Sequence, residues 1–161
     1  MASDMFLKLG DIKGESTDDK HKDEIEVLAF NWTVTNPGSM ATGSGGGSGK
    51  ATFSDFRFSK YVDKASPNLL KMCATLEHLK EGTLTVRKAG KGPQEYLVVK
   101  MNDVIVTSVS PGGSNQDTSH LSEDVTLQCA KVDLEYKPQK GDGSLDAGIH
   151  FKYDIKANKE G

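Results

Sequence analysis

The sequence predicts a mainly β protein, a single antiparallel barrel or sandwich with one helix. Segments rich in β-forming residues recur at short spacing along the 161 residues, and turn signals such as Gly141-Asp142-Gly143 separate them. Only one stretch has the apolar period of a helix. Because neither an internal repeat nor a linker interrupts this pattern, one domain is predicted over residues 1–161.

Seven segments are predicted to form strands. They cover residues 5–12, 25–35, 50–62, 83–88, 95–109, 123–137 and 148–157. The last alternates most cleanly, since Ile149, Phe151 and Tyr153 share one face while His150 and Lys152 share the other. In the second strand the alternation shifts phase, which indicates a bulge or burial on both faces. Apolar residues on both faces of several strands leave more surface than one helix can cover, which favours an oligomer.

The single helix is predicted at about 66–80. Ser66 is a good N-cap, Pro67 suits the first helical position, and Gly82 is placed to end the helix. The apolar stripe follows the spacing i, i+3, i+4, i+7 and consists of Leu69, Met72, Cys73, Leu76 and Leu79.

A glycine-rich stretch, ATGSGGGSGKATFSDF at 41–56, invites comparison with a phosphate-binding loop. The pattern G-x-x-x-x-G-K-[ST] requires glycine where this chain has Ser44 and a hydroxyl where it has Ala51. It also requires a following helix, but a strand pattern follows Lys50. The segment 36–49 is therefore predicted to be a flexible surface loop rather than a nucleotide site.

No other constellation predicts catalysis or metal binding. The four histidines show no metal-ligand spacing, and Asp117, Ser119 and His120 are too close in sequence to converge as a triad. The run GDGSLD lacks the later glycine and glutamate of a calcium loop, so a plain turn is predicted. Cys73 and Cys129 are interpreted as small core residues. The chain is predicted not to be an enzyme and to have no cofactor, catalytic or metal-binding residues.

The net charge and the hydropathy of the chain limit the kinds of partner it is expected to bind and the compartment in which it is expected to be made. The formal net charge of −3, without a basic patch, argues against nucleic acid as a partner. No apolar stretch approaches the roughly 20 residues of a membrane span, so membrane insertion is not expected. The first residues lack the basic and apolar regions of a signal peptide. Synthesis in the cytosol is expected, and any export is expected to use a route that does not depend on a cleaved signal peptide.

The residues alone leave three classes open: an oligomeric structural protein, a monomeric β-barrel that binds a small ligand, and a hydrolase whose site is assembled from distant residues. Particle mass separates the first two classes. A cleft that gathers distant polar side chains would reveal the third.

The whole chain resembles the haemolysin-coregulated protein (Hcp) family, the inner-tube proteins of bacterial type VI secretion systems. The resemblance rests on the following stretches: MFLKLGDIKGESTDDKHKDEIEVLAFNW, GKATFSDFRFSKYVDKASPNLLKMCATLEHLKEGTLTV, EYLVVKMNDVIVTSV and VTLQCAKVDLEYKPQ. It implies an antiparallel two-sheet β-barrel with one flanking α-helix, which assembles as a hexameric ring.

The resemblance also implies a role. Rings would stack into a tube that a contractile sheath expels with a spike at its tip, and small effector proteins would ride inside. The protein would then start in the bacterial cytoplasm and leave it through the secretion system. The extended loop would reach from one ring to the next. Its candidate ring-stacking residues are Pro37, Gly38, Ser39, Met40, Ala41, Thr42, Gly43, Ser44, Gly45, Gly46, Gly47 and Ser48.

Overall fold

The computed structural model describes residues 3–38, 49–88, 92 and 94–161, with backbone alone at 117–119. Its elements, in chain order, are β1 (Ser3–Leu9), β2 (Ile25–Glu26), β3 (Ala29–Asn31), β4 (Val34–Thr35), β5 (Thr52–Phe53), β6 (Phe56–Tyr61), α1 (Ser66–Thr75), β7 (Leu79–Lys88), β8 (Gln94–Ser114), β9 (Asp117–Tyr136), β10 (Ile149–Asp154) and β11 (Lys159–Glu160). Nine strands form one antiparallel sheet, and β4 pairs with β5 in a second. The predicted mainly β, two-sheet antiparallel fold with a flanking helix is confirmed.

The large sheet closes on itself around the long β8–β9 hairpin. Strand β9 pairs with β10 over residues 131–136 and with β6 over residues 122–127, while β8 lies along its other edge. The segment from β2 to β3 then connects the two ends of the sheet. Val27 N–H donates to Met5 O of β1 at 3.0 Å, and Leu28 N–H donates to Ser59 O of β6 at 2.8 Å. The barrel order is therefore β1–β7–β8–β9–β6, closed by the β2–β3 segment.

The barrel interior is filled by the alternate side chains that point inward. Leu7, Leu84, Val99, Phe58 and Leu127, from five different strands, are each at most 1% exposed. At about 25 cal/mol per Å² of apolar surface removed from water, such burial is the main stabilising contribution.

The predicted strand 25–35 is divided into β2, β3 and β4. The shift in its alternation has a physical cause, because the segment leaves β1, crosses to β6 and then turns away into the β4–β5 ribbon. Val27 is buried in the barrel, whereas the next residue, Leu28, is 44% exposed.

The helix is shorter than the predicted 66–80. It ends at Thr75 because Leu76 adopts a left-handed conformation, with φ 51°, and its N–H bonds Cys73 O at 3.3 Å. Gly82 does not end the helix but lies within β7. Ser66 is not the N-cap either, since Ala65 holds that position and makes no side-chain cap. Pro67 is therefore the second helical residue rather than the expected first, but it still lies in the first turn.

The last predicted strand, 148–157, is observed only at Ile149–Asp154, and the apolar side chains at its start are not covered. Ile149 is 65% exposed and Phe151 39% exposed, and Tyr136, opposite Ile149, is 46% exposed. This end of the β9–β10 pair therefore extends beyond the barrel core.

Candidate functional site: a sheet segment with two open edges

One part of the barrel wall differs from the rest in its unpaired edges. We define the open segment as β3, β6, residues 122–127 of β9 and residues 105–114 of β8. Within the described residues, β3 pairs with β6 alone, and β8 has no partner other than β9 after Val104, where its pairing with β7 stops. Unpaired backbone N–H and C=O groups on such edges can pair with another chain.

The two open edges lie on opposite sides of the segment, and they are complementary in direction. All pairings in the segment are antiparallel, and it contains four strands. Strand β8 therefore runs opposite to β3. A second copy placed beside the first would meet β3 with its β8 in the same antiparallel sense that holds within the chain.

The inner face of the open segment belongs to the barrel core. Phe30 stacks on Phe56, with ring centroids 5.7 Å apart, and Phe56 and Phe58 are at most 3% exposed. Val106 and Val125, from β8 and β9, are fully buried on the same side. This face is unavailable to any partner.

The outer face is polar and rich in hydroxyl groups. The strand register aligns two rows across the four strands: Asn31, Arg57, Thr126 and Ser108 in the first, and Ala29, Ser59, Asp124 and Ser110 in the second. Arg57 Nη2 donates to Asp124 Oδ2 at 3.1 Å, and both side chains are largely exposed. An exposed pair of this kind contributes little stability. The face is therefore nearly neutral and short of apolar contacts.

A β-bulge between Val106 and Ser108 shapes this face. It brings Thr107 and Ser108 to the same neighbour, so that the Thr126 hydroxyl lies 2.7 Å from the first hydroxyl and 2.6 Å from the second. Thr107 also donates to Asp55 Oδ2 at 2.8 Å. These bonds fix the wall where β8 leaves β7.

A buried ion cluster, which we name the Lys60 cluster, joins the open segment to the helix. Lys60 and Glu123 are fully buried, and Lys60 Nζ bonds Glu123 Oε1, Asp63 Oδ1 at 2.8 Å and Ser66 Oγ at 3.2 Å. Ser66 donates to Glu123 Oε1 at 2.5 Å. All three donors of the ammonium group are thereby used. Sequence reasoning missed this cluster, although Lys60 shares the inward parity of Phe56 and Phe58.

A second ion cluster, the Arg87 cluster, lies at the other side of the barrel and holds the polar loop 14–23. Arg87 Nη1 donates to Asp18 Oδ1 at 3.0 Å, and the guanidinium lies 4.9 Å from the centre of the Phe6 ring. The Arg87 hydrogen bond lowers the pKa of Asp18 from 3.8 to about 2, and the same pair raises the pKa of Arg87. His21 stacks on Phe6 at 4.6 Å and bonds Glu95 Oε1 at 2.8 Å.

The candidate ring-stacking loop is described only at its two ends. Asn36 Nδ2 donates to Gly49 O at 2.7 Å, and Gly38 N–H donates to Asn36 Oδ1 at 3.1 Å. The β4–β5 ribbon brings these ends together. Pro37 and Gly38 are exposed at its end, whereas residues 39–48 lie outside the described residues.

The remaining sequence motifs, as far as the structure describes them, do not come together in one site. GDGSLD forms a turn in which Ser144 N–H donates to Asp142 Oδ1 at 2.9 Å. His120 stacks on Tyr61 at 4.4 Å. Among the described residues there is no group of three histidine, cysteine or acidic side chains arranged to hold a metal ion. The described part of the chain also contains no helix with both the length and the apolar character to cross a bilayer.

Known proteins that are similar in sequence and structure identify the family. The family model described as "Type VI secretion system effector, Hcp" matches residues 6–136. The chain belongs to the Hcp family. It is 47% identical to protein hcp1 of Pseudomonas aeruginosa over 160 residues, 98% of each chain. Hcp1 from Salmonella typhimurium matches at 43% identity with a TM-score of 0.81, covering 99% of each chain.

A further solved structure, that of a type six secretion system protein, matches at 30% identity. Its TM-score is 0.93, and 99% of this chain and 100% of that chain are covered. The resemblance found in the sequence is thus confirmed along nearly the whole chain. Hcp proteins are structural secreted proteins of type VI secretion, so the chain belongs to a structural family rather than to an enzyme family.

Proposed function

We propose that this chain is a structural tube subunit whose copies join head to tail into hexameric rings that stack into a secreted tube. The observation that carries the proposal is the pair of open edges on opposite sides of the open segment. An interface between two different surfaces of identical chains generates a closed ring when the rotation closes. The number six comes from the family resemblance.

The polar outer face then becomes the wall of the channel. If open segments join through their edges, the barrel bodies all lie on the same side of the continuous sheet. Because the barrel body and α1 are bulky, they occupy the outside of a small ring. The rows that contain Asn31, Arg57, Asp124 and Ser110 then face the hole. A nearly neutral, hydroxyl-rich wall offers few strong contacts, which suits passage of small effector proteins.

Other parts of the role follow from the same proposal. Residues 1–161 act as one domain, without catalysis or cofactor, and the loop from Pro37 to Ser48 contacts the next ring. Its base, closed by the bond from Asn36 to Gly49, supports a projecting loop. The spike, the contractile sheath and small effectors are the other partners. The chain leaves the bacterial cytoplasm through the secretion system without a cleaved signal peptide.

Disulfide capture across the proposed seam tests the ring. In a background in which Cys73→Ser and Cys129→Ala remove the native thiols, Asn31→Cys is combined with either Ser108→Cys or Ser110→Cys. Mild oxidation should give a ladder on denaturing gels that ends at six chains. Each new cysteine alone is the matched control and should give no ladder. A ladder that stops at two chains, or untreated protein with the mass of one 17.4 kDa chain, would contradict the proposal.

The stacking loop needs a separate experiment. Deleting Thr42 to Ser48 should leave six-membered rings intact by sizing and negative-stain microscopy while changing how rings stack. Rings that fall apart would contradict the assignment of the loop to ring-to-ring contact. The mass of the ring also separates the tube subunit from a monomeric ligand-binding barrel.

A further inference from the structure

A largely apolar cavity of about 260 Å³ opens between the β4–β5 ribbon and residues 127–132 of β9. Its floor is made by core side chains, among them Phe56, Val99, Met101 and Leu127, each at most 3% exposed. Trp32 and Phe53 form one wall, with ring centroids 5.5 Å apart. The cavity is thus apolar at its base and aromatic at its side.

The polar side chains at the rim already have partners. Ser54 Oγ accepts Thr33 N–H at 2.9 Å and donates to Asp55 O at 3.2 Å. Gln128 Nε2 donates to Asp55 Oδ1 at 2.9 Å. Ser54 therefore needs no ligand for its hydrogen bonds, and Gln128 is exposed to solvent.

Among the residues that the structure describes, the lining contains neither an acidic nor a basic side chain. The thiol of Cys129 faces the cavity, and burial raises its pKa to about 11. It is therefore a neutral, weak hydrogen-bond donor at physiological pH. An ionic ligand would lose its hydration without gaining a partner, which is strongly unfavourable.

The volume of the cavity also limits the size of the ligand. A dry cavity of about 150 Å³ lined by apolar side chains holds benzene, whereas drug-sized ligands need about 300 Å³ or more. We propose that this cavity binds one small, uncharged aromatic molecule of about ten ring atoms, the size of naphthalene. Stacking against Trp32 and Phe53 would add to burial of the ligand.

This binding site is formed by residues of a single chain and goes beyond the tube function. Each chain would hold one molecule within its own barrel, separate from any protein inside the channel. A ring that leaves the cell would then carry small apolar molecules as well.

Binding can be measured directly on the full chain. With 1-fluoronaphthalene as the probe, ¹⁹F NMR should show saturable line broadening at one site per chain. Trp32 is the only tryptophan, so the probe should also change the fluorescence of a residue in the cavity wall. Naphthalene-1-sulfonate has the same rings and a negative charge, and should bind at least about tenfold more weakly. Equal binding of both probes, or no binding up to the solubility limit, would overturn the proposal.

Substitutions inside and outside the cavity locate the site. Cys129→Leu should fill part of the cavity and weaken binding of 1-fluoronaphthalene by about tenfold or more. Cys73→Leu makes the same change on the helix and should alter binding by less than about twofold. Ile155→Phe, at the rim, gives a second filling variant should Cys129→Leu fail to fold. Unchanged affinity in a folded filling variant, or a side chain of a neighbouring copy that fills the cavity in the ring, would refute the site.

Discussion

The Lys60 cluster and the Arg87 cluster use the same chemistry in two different environments. Lys60 and Glu123 are 0% exposed, whereas Asp18, which pairs with Arg87, is 23% exposed. Water can reach Asp18 in the second cluster, although Arg87 itself is only 9% exposed, and it cannot reach Lys60 or Glu123 in the first. We therefore expect the loss of a partner to cost more stability in the Lys60 cluster than at Asp18.

Their positions give this difference a structural meaning. The Lys60 cluster joins β6 and β9, the two middle strands of the open segment, to the start of α1, so it fixes the strands between the two edges of the proposed ring seam. The Arg87 cluster attaches a surface loop to β7. We expect changes in the first cluster to affect the whole fold and changes in the second to remain local.

The largest expected effect comes from Lys60→Met. This change leaves Glu123 as a buried charge without its cation and should lower the free energy of unfolding by about 3–5 kcal/mol. Urea unfolding followed by circular dichroism measures the loss. Lys64→Met, at an exposed lysine nearby, is the matched control and should stay within about 0.5 kcal/mol. A similar loss in both variants would show that burial does not distinguish them.

Glu123→Gln should cost less than Lys60→Met. Glu123 Oε1 accepts both Lys60 and Ser66, whereas Oε2 finds no hydrogen-bond donor among the described residues. A glutamine can keep its oxygen at the first position, and Lys60 retains Asp63 as its counter-ion. The loss should be about 1.5–3 kcal/mol, the worth of a hydrogen bond to a charged group. Adding Glu123→Gln to Lys60→Met should restore stability, and a further loss would contradict this account.

Much of the fold was predictable because its signals are local. Alternation revealed the strands, and Pro67 marked the first turn of the helix. The end of the helix was not predictable, since Leu76 takes a left-handed conformation without a glycine and Leu79 continues the helical spacing although it begins β7.

The open edges and the buried cluster depend on pairings between distant residues. No local signal shows that β8 loses its β7 partner after Val104. Lys60 did carry a signal, because it lies between apolar residues on the inward parity of β6, but its partner Glu123 is 63 residues away. A charged residue on a core parity in two separate strands is therefore a pattern that can indicate a buried ion pair.

The loop held by the Arg87 cluster packs so closely at Gly14 that there is no room for a side chain. A Cβ added to Gly14 would lie 2.7 Å from Ile25 Cα and would also clash with Glu24 O. Backbone atoms cannot give way as a flexible side chain can, so Gly14→Ala should cost about 1–3 kcal/mol. Gly141→Ala is the matched control, because a Cβ there meets nothing within 4 Å. Equal melting temperatures for the two variants would contradict close packing of the loop.

The smallest expected effect is the pH dependence of the Asp18 contact. The pKa of Asp18 is about 2 instead of 3.8, mainly through its hydrogen bond with Arg87. Because the pKa of Asp18 is lowered, the contribution of its contact with Arg87 to stability is fully present above pH 3.8 and is lost as the pH falls through about 2. NMR signals of residues 16–24 should therefore change between pH 4 and pH 2 while those of the barrel core remain. Asp18→Asn should remove this transition, and Asp19→Asn, at an exposed neighbour, should leave it in place. A core that unfolds in the same pH window, or a transition that survives Asp18→Asn, would show that the loop is not held independently of the barrel.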